Sequence, residues 1–161
     1  MSYSQAGQDK WVLSLFPKGT YLEIGASHPK NINNTYLLEL NGWDGLSIDI
    51  DNQCEAEWKA TRKNRLLIAN ALAYPFSLLD PVEYLQIDID PAHQSLLCLR
   101  KILASGMEFK CLTFEHDHYT GEGCKEQSRQ LLHDAGYNLA VADVLYDGKS
   151  FEDWWVKKNN G

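Results

Sequence analysis

The chain has 161 residues, 44% hydrophobic and 23% charged, a balance that supports a buried core without disulfide staples and excludes a disordered polymer. A formal net charge of −7, with no clustered Lys and Arg, argues against a nucleic-acid partner, because phosphate backbones recruit basic patches. No apolar run approaches the length of a membrane span, and Met1–Lys10 lacks a basic-then-apolar leader pattern, so no membrane partner and a cytoplasmic location are expected.

Val12, Leu15 and Phe16 mark an N-terminal helix within residues 1–18, a segment expected to pack on the core. Thr20–Ile24 is the first of several short β-rich runs; the others are Gly45–Ile50, Arg65–Ala69, Glu83–Ile89 and Lys110–Phe114. Each is too short and too continuously apolar for a solvated antiparallel strand, which predicts buried parallel strands. Asn34–Asn41 reads as a short helix stopped by Gly42. After Asp51, Asn52 precedes Glu55 in a capping-box pattern, with Glu55 and Glu57 early and Lys59, Arg62 and Lys63 late, as the helix dipole favours.

After Ile89, Asp90-Pro91 resembles an N-cap followed by proline at the first helical position. Leu96, Leu99, Ile102 and Leu103 then form one apolar stripe ending at Ser105-Gly106. Cys124–Ala135, stopped by Gly136, makes the last helix, and Asn138–Val144, Asp147-Gly148 and Phe151–Val156 read as a terminal β-hairpin. Cys54, Cys98, Cys111 and Cys124 form no Cys-x-x-Cys pair and read as reduced thiols. No repeat or linker divides the sequence, so one domain over 1–161 is expected. The alternation of strands and helices predicts an α/β architecture with a mostly parallel sheet, helices on both faces, and ligand-binding loops along the carboxyl edge.

That edge carries chemistry. The first strand runs into Glu23-Ile-Gly-Ala-Ser-His-Pro29, where Gly25 allows backbone to approach a ligand and Glu23 can accept from an amine or hydroxyl; a lone glycine after a strand is more often just a tight turn. Asp49 lies 24 residues beyond Gly25, where Rossmann-type domains hold ribose hydroxyls, while Asp51 leads into the next helix. Asp88 and Asp90, two apart, share a face, and Glu115 or His116 of the neighbouring strand is placed to join them. Such an oxygen-rich set suits Mg²⁺ or Mn²⁺. In the alternative, Asp90 is only a helix cap and His118 a solvated loop residue.

Ser4-Gln-Ala-Gly-Gln-Asp9, Tyr21-Leu-Glu-Ile-Gly25, Asn33-Asn-Thr-Tyr-Leu-Leu-Glu39, Gly42-Trp-Asp-Gly45, Leu85-Gln-Ile-Asp88 and Phe114-Glu-His116 occur in that order. In this combination the chain resembles the FkbM-type methyltransferases, a branch of the class I Rossmann-like fold that uses S-adenosylmethionine. The resemblance implies a seven-stranded sheet with its last strand antiparallel, and methyl transfer to an oxygen on a sugar or glycosylated small molecule. Carried over by position, Glu23, Gly25 and Ala26 flank the methionine portion, Asp49 takes the ribose, and Asn70 and Ala71 lie near the adenine. Gln5 and Gln8 close over the cofactor. Asp88, Glu115 and His116 surround the acceptor, with either His116 as general base or a metal on Asp88, Asp90 and Glu115 polarising the hydroxyl.

The sequence departs from the family's pattern in the first loop, where Ser27-His28-Pro29 replaces a second glycine. His28 there reads either as an acceptor-site base or as a turn residue. The short loops leave little material for a lid, which makes a homo-oligomeric partner an expected source of specificity. Two rival readings are a nicotinamide-dependent oxidoreductase, for which Asp49 suits a ribose but the G-x-G-x-x-G turn is missing, and a non-catalytic binding module in which the Pro29 loop marks a lost cofactor site.

Overall fold

A computed structural model describes residues 1–159. In chain order the elements are α1 (Gln8–Leu15), β1 (Thr20–Ile24), α2 (Tyr36–Leu40), β2 (Asp44–Asp49), α3 (Glu55–Thr61), β3 (Arg65–Ile68), β4 (Val82–Ile87), α4 (Ala92–Ser105), β5 (Phe109–Glu115), α5 (Cys124–Asp134), β6 (Tyr137–Tyr146) and β7 (Lys149–Lys157). All seven strands join one sheet, ordered β3-β2-β1-β4-β5-β7-β6. Neighbours from β3 to β5 are parallel, whereas β7 pairs antiparallel with both β5 and β6. The sheet is therefore mixed, which corrects the expectation of a mostly parallel one. The reason is the hairpin: Asp147 (φ 51°) and Gly148 (φ 73°) both take left-handed backbone, as a tight hairpin turn requires, and β7 returns between β5 and β6.

Side-chain alternation divides the sheet into two faces. Leu22, Ile24, Leu85, Ile87, Leu112 and Phe114 pack with Leu96, Leu99 and Ile102 of α4 and Leu132 of α5. Burial of each such aliphatic side chain contributes about 1.5–3 kcal/mol. On the opposite face Tyr21, Tyr84 and Cys111 pack with Val12 of α1, Leu38 of α2 and Trp43. Along this second face each strand becomes more polar toward its carboxyl end: Tyr21, Glu23, Gly25 in β1 and beyond; Tyr84, Gln86, Asp88 in β4 and beyond; Cys111, Thr113, Glu115 in β5. The gradient opens the sheet edge to polar ligands while its amino-terminal half stays dry.

Two helix starts differ from the sequence pattern. Cys54, not Asn52, precedes α3, and no side chain caps it; Asn52 contributes only its carbonyl, which accepts from the Glu55 N–H at 3.1 Å. Pro91 occupies the N-cap of α4, so Asp90 does not cap it, whereas the helix ends as expected at Gly106.

Arg62 follows α3 and is 6% exposed, not the solvated late-helix cation its position suggests. Its guanidinium donates to Glu39 Oε1 (3.1 Å), the Pro29 carbonyl (2.9 Å), Asn33 Oδ1 (3.3 Å), Tyr21 Oη (3.0 Å) and Thr35 Oγ1 (3.1 Å), and lies 4.3 Å from the Trp58 ring centroid. Removing one partner of a buried ion pair strands the other, so Arg62→Met should lower stability by about 3–5 kcal/mol. Arg62→Lys should recover little, because one ammonium cannot replace a planar fork with five donors. Urea unfolding measures both; a loss below about 1 kcal/mol for the methionine variant would show that the network is not structural.

Candidate active site

Strand register sets the site. Ile24 pairs with Ile48 and with Ile87, Ile87 with Phe114, and Glu115 with Glu152. One step further along each strand, Asp49, Gly25, Asp88, Glu115 and Glu152 therefore form a row across β2, β1, β4, β5 and β7. Behind them stand Ser47, Glu23, Gln86, Thr113 and Trp154. A cavity of about 720 Å³ opens on these rows, with Gln5, Gln8, Glu23, Gly25, Ala26, His28, Asp49, Gln86, Asp88, Asp90 and Glu152 in its walls. A second lobe of about 230 Å³, with Asn70 and Ala71 in its lining, shares Gly25, Asp49 and Asp90 with the first.

Gly25 has φ 85°, and a Cβ there would lie 1.7 Å from the Asp88 carbonyl oxygen. Only glycine permits that approach. The buried Glu23 accepts at Oε1 from Ser47 Oγ (2.7 Å), Thr35 Oγ1 (2.9 Å) and Asn33 Nδ2 (3.4 Å). Burial pushes its carboxyl up, and the Arg62 charge opposes the shift. Asp49 braces the first loop: Oδ2 accepts from the Ser27 N–H at 2.7 Å and Oδ1 from the Asp51 N–H at 2.9 Å. Ala26 is buried, and its carbonyl accepts from Asn33 Nδ2 at 3.3 Å. The Asn70 side chain accepts from the Leu72 N–H at 3.0 Å, which caps the short turn presenting Ala71 to the second lobe. Gln5 lines the cavity, and Gln8, buried, accepts from the Ala6 N–H at 2.7 Å while donating to Glu152 Oε1 at 2.9 Å.

His28 has both ring nitrogens engaged. Nδ1 accepts from the Lys30 and Asn31 N–H groups (3.1 and 2.8 Å), and Nε2 lies 3.0 Å from Glu57. Of its two readings, the turn residue fits. The Pro29 carbonyl accepts from Arg62, so the loop is held through oxygens and the missing proline N–H leaves no gap.

His116 is a correction. It is wholly buried, outside the cavity lining, with Nδ1 accepting from the His118 N–H at 3.1 Å and Nε2 facing Asp153 Oδ1 at 3.4 Å. Neighbours on a strand point to opposite faces, so with Glu115 on the sheet face of Asp88 and Glu152 His116 cannot be there too.

The expected metal trio is a second correction. Among the described residues, Asp88, Asp90 and Glu115 do not bring three ligand atoms within 4.8 Å of one another; the set that does is His116, Asp143 and Asp153. That set already has its cations. Arg129 donates to both oxygens of Asp153 (2.8 and 2.9 Å), and Lys125 to Asp143 Oδ1 (2.9 Å). Burial works against ionisation of Asp153, yet the Arg129 fork holds its carboxyl down at about 2. Glu115 instead stands beside Asp88 and Asp117, whose charges act on it. Burial, then the contact with Asp88, pushes the Glu115 carboxyl far up, so it keeps a proton, while burial brings Asp88 to about 6.

Glu152 and Gln86 were not singled out in the sequence. Glu152 is 1% exposed, and its Oε1 accepts from Trp154 Nε1 at 2.6 Å as well as from Gln8. Burial, reinforced by Asp88, pushes its carboxyl up to about 8. The alternation of Glu152 with Trp154 along β7 was the available signal.

No protein-family model matches the chain, and no curated protein sequence does. Among solved structures, it superposes on a protein of Clostridium thermocellum assigned to the rRNA methylases (TM-score 0.70, 14% identity, 100% of this chain and 99% of that one). It also superposes on the N-methyltransferase NodS from Bradyrhizobium japonicum in complex with S-adenosylhomocysteine (TM-score 0.67, 12% identity, covering 96% and 86%). A third is the magnesium protoporphyrin IX methyltransferase from Synechocystis with bound S-adenosylmethionine (TM-score 0.64, 12% identity, covering 92% and 76%). At these identities the likeness shows the fold: the chain has the α/β architecture of class I methyltransferases.

The acid row has a consequence for stability. A carboxyl raised from 4.5 to about 8, as in Glu152, favours the folded state fully below its ordinary value, and that contribution is lost as pH rises through the folded value. Asp153, depressed from 3.8 to about 2, acts oppositely, and its contribution disappears only as pH falls through that range. The thermal midpoint should therefore decline between about pH 5 and about pH 8, and Glu152→Gln, whose amide oxygen still accepts from Trp154 and Gln8, should flatten the decline. Parallel pH profiles for the two proteins would show that Glu152 does not titrate in this range.

Proposed function

We propose that the chain is an S-adenosylmethionine-dependent methyltransferase of the FkbM type, acting on a hydroxyl of a sugar or similar small molecule. The observation that carries the reading is the two-lobed crevice on the carboxyl edge, in which Glu23, Gly25, Asp49, Asn70 and Ala71 stand in the order an adenosyl amino acid would meet them. Bound S-adenosylmethionine supplies a methyl group made electrophilic by its sulfonium. Asn70 and Ala71 receive the adenine in the smaller lobe, and Asp49 accepts from the ribose hydroxyls with the lone pairs its loop contacts leave free. Glu23, with its protein contacts gathered on Oε1, turns Oε2 to the amino group. Glu23, Asp49, Asp51, Asp88, Asp90 and Glu152 all border the cavity and no Lys or Arg does, which suits a cationic cofactor. The same walls disfavour the pyrophosphate of a nicotinamide dinucleotide and a phosphate-rich acceptor.

Asp88 takes the acceptor's proton. At about 6 its carboxyl is ionised near neutral pH yet more basic than an exposed aspartate, the compromise a general base needs. Gln5 and Gln8 wall the crevice above it and hold the acceptor against the methyl carbon, so positioning supplies the remainder of the rate. His116 has no part in this scheme, and no step runs through a metal.

Calorimetric titration with S-adenosylhomocysteine should show one site per chain. Asp49→Ala should weaken it by about tenfold or more, the effect of losing a charged hydrogen-bond acceptor. Asp88→Asn should bind S-adenosylhomocysteine like the wild type while losing about 100-fold or more in methyl transfer. Absence of heat with S-adenosylhomocysteine, together with thermal protection by NAD, would reverse the reading in favour of an oxidoreductase.

A further inference from the structure

Two acceptors on the crevice floor have no donor opposite them among the described residues. Gln86 is 2% exposed and lines the cavity, and its Oε1 has no hydrogen-bond partner among the described residues. Its neighbours Tyr84 and Thr113 bond each other at 2.6 Å and do not serve it. Glu152 gathers Trp154 and Gln8 on Oε1, and no described side chain donates to Oε2. Asp88 stands between them on the same face, two residues beyond Gln86. Of the other groups near Glu152, Glu115 and Asp153 are acids and the Tyr84 hydroxyl is paired with Thr113, and no Lys or Arg lines the cavity, so no local cation serves these acceptors. A hydroxyl brings one hydrogen, which Asp88 consumes as base; an ammonium brings three.

We infer that the acceptor carries a protonated amine beside its reacting hydroxyl, docked on Glu152 Oε2 and Gln86 Oε1, which makes the substrate class an amino sugar or amino alcohol. The inference rests on the methyltransferase reading and names its acceptor. The ammonium satisfies the buried Gln86 oxygen and pairs with the Glu152 carboxylate, with any proton on Glu152 released to solvent as the cation arrives. Neutral sugars offer these acceptors only uncharged hydroxyl donors, whose bonds are about half as strong as charge-assisted ones, and phosphorylated sugars bring further negative charge into a wall of carboxylates.

The test is ligand-observed NMR and calorimetry with matched pairs, glucosamine against glucose and ethanolamine against ethylene glycol, with Mn²⁺ as a further probe, each with and without S-adenosylhomocysteine. The amine of at least one pair should bind tenfold or more tightly than its hydroxyl counterpart. That preference should disappear in Glu152→Gln and in Gln86→Leu, with folding of both variants checked by thermal unfolding. Equal binding within both pairs, a preference that survives both variants, or binding of Mn²⁺ in place of the amines would overturn the inference. Failure of S-adenosylhomocysteine to bind sinks the cofactor reading; loss of amine preference with S-adenosylhomocysteine bound sinks only this one.

Discussion

A buried guanidinium governs the shape of the crevice. Glu23 is a fully buried carboxyl at the sheet edge, and a charge in that position is tolerated only where hydrogen bonds and an opposite charge compensate it. Thr35 and Asn33 supply hydrogen bonds, and both are themselves held by Arg62, whose charge also acts on Glu23 through space. The same side chain reaches the Pro29 carbonyl and Glu39. One cation thus ties together the end of α3, the start of α2, the loop after β1 and the strand beneath. Charge-assisted bonds of this kind are about twice as strong as neutral ones, so the floor of the crevice is set before any ligand arrives.

Most of the fold was legible because its signals are local. Short apolar runs located β1 to β5, Gly106 and Gly136 located two helix ends, and Asp147-Gly148 located the hairpin. The position of β7 between β5 and β6 was not, because nothing in a hairpin's own sequence states which of its strands joins the sheet. Arg62 misled for a similar reason: helix-dipole complementarity and a buried ion-pair network call for the same residue type. The capping box at Asn52 failed against competing local bonds, since the Asp49 and Asp51 carboxylates already accept from the backbone N–H groups of Asp51 and Gln53 at 2.9 and 2.8 Å. Side chains of this type pull the backbone into turns ahead of a helix.

The site divides along the same line. Glu23, Gly25, Asp49 and Asp88 converge on one cavity because parallel strands deliver their carboxyl ends to one edge, a consequence of topology readable from alternation alone. Glu115 stands beside Asp88 in the same row but outside the cavity lining, and Asp90 is exposed at the rim. His116 belongs to the opposite face, and the two-residue period of a strand already separated it from Glu115. Glu152 came from an antiparallel strand, whose register with β5 only the tertiary structure reveals.

The acids of this row differ in what they can hold. Glu115, pressed between Asp88 and Asp117, retains a proton because three adjacent carboxylates cannot all ionise in a buried place. A neutral Glu115 adds no second negative charge beside Asp88, which is why Asp88 remains ionisable near neutrality while its neighbour does not. Under the proposed reaction this matters for charge balance. The crevice receives one positive charge with the cofactor, and Asp88 collects one positive charge as the acceptor's proton when the methyl group moves. The carboxyl row therefore faces the same total charge before and after transfer, displaced from the Glu23 and Asp49 side toward Asp88. A wall of fixed acceptors suited to a cation at both ends of that displacement needs little reorganisation during the reaction, and preorganisation of this kind is where electrostatic catalysis obtains its effect.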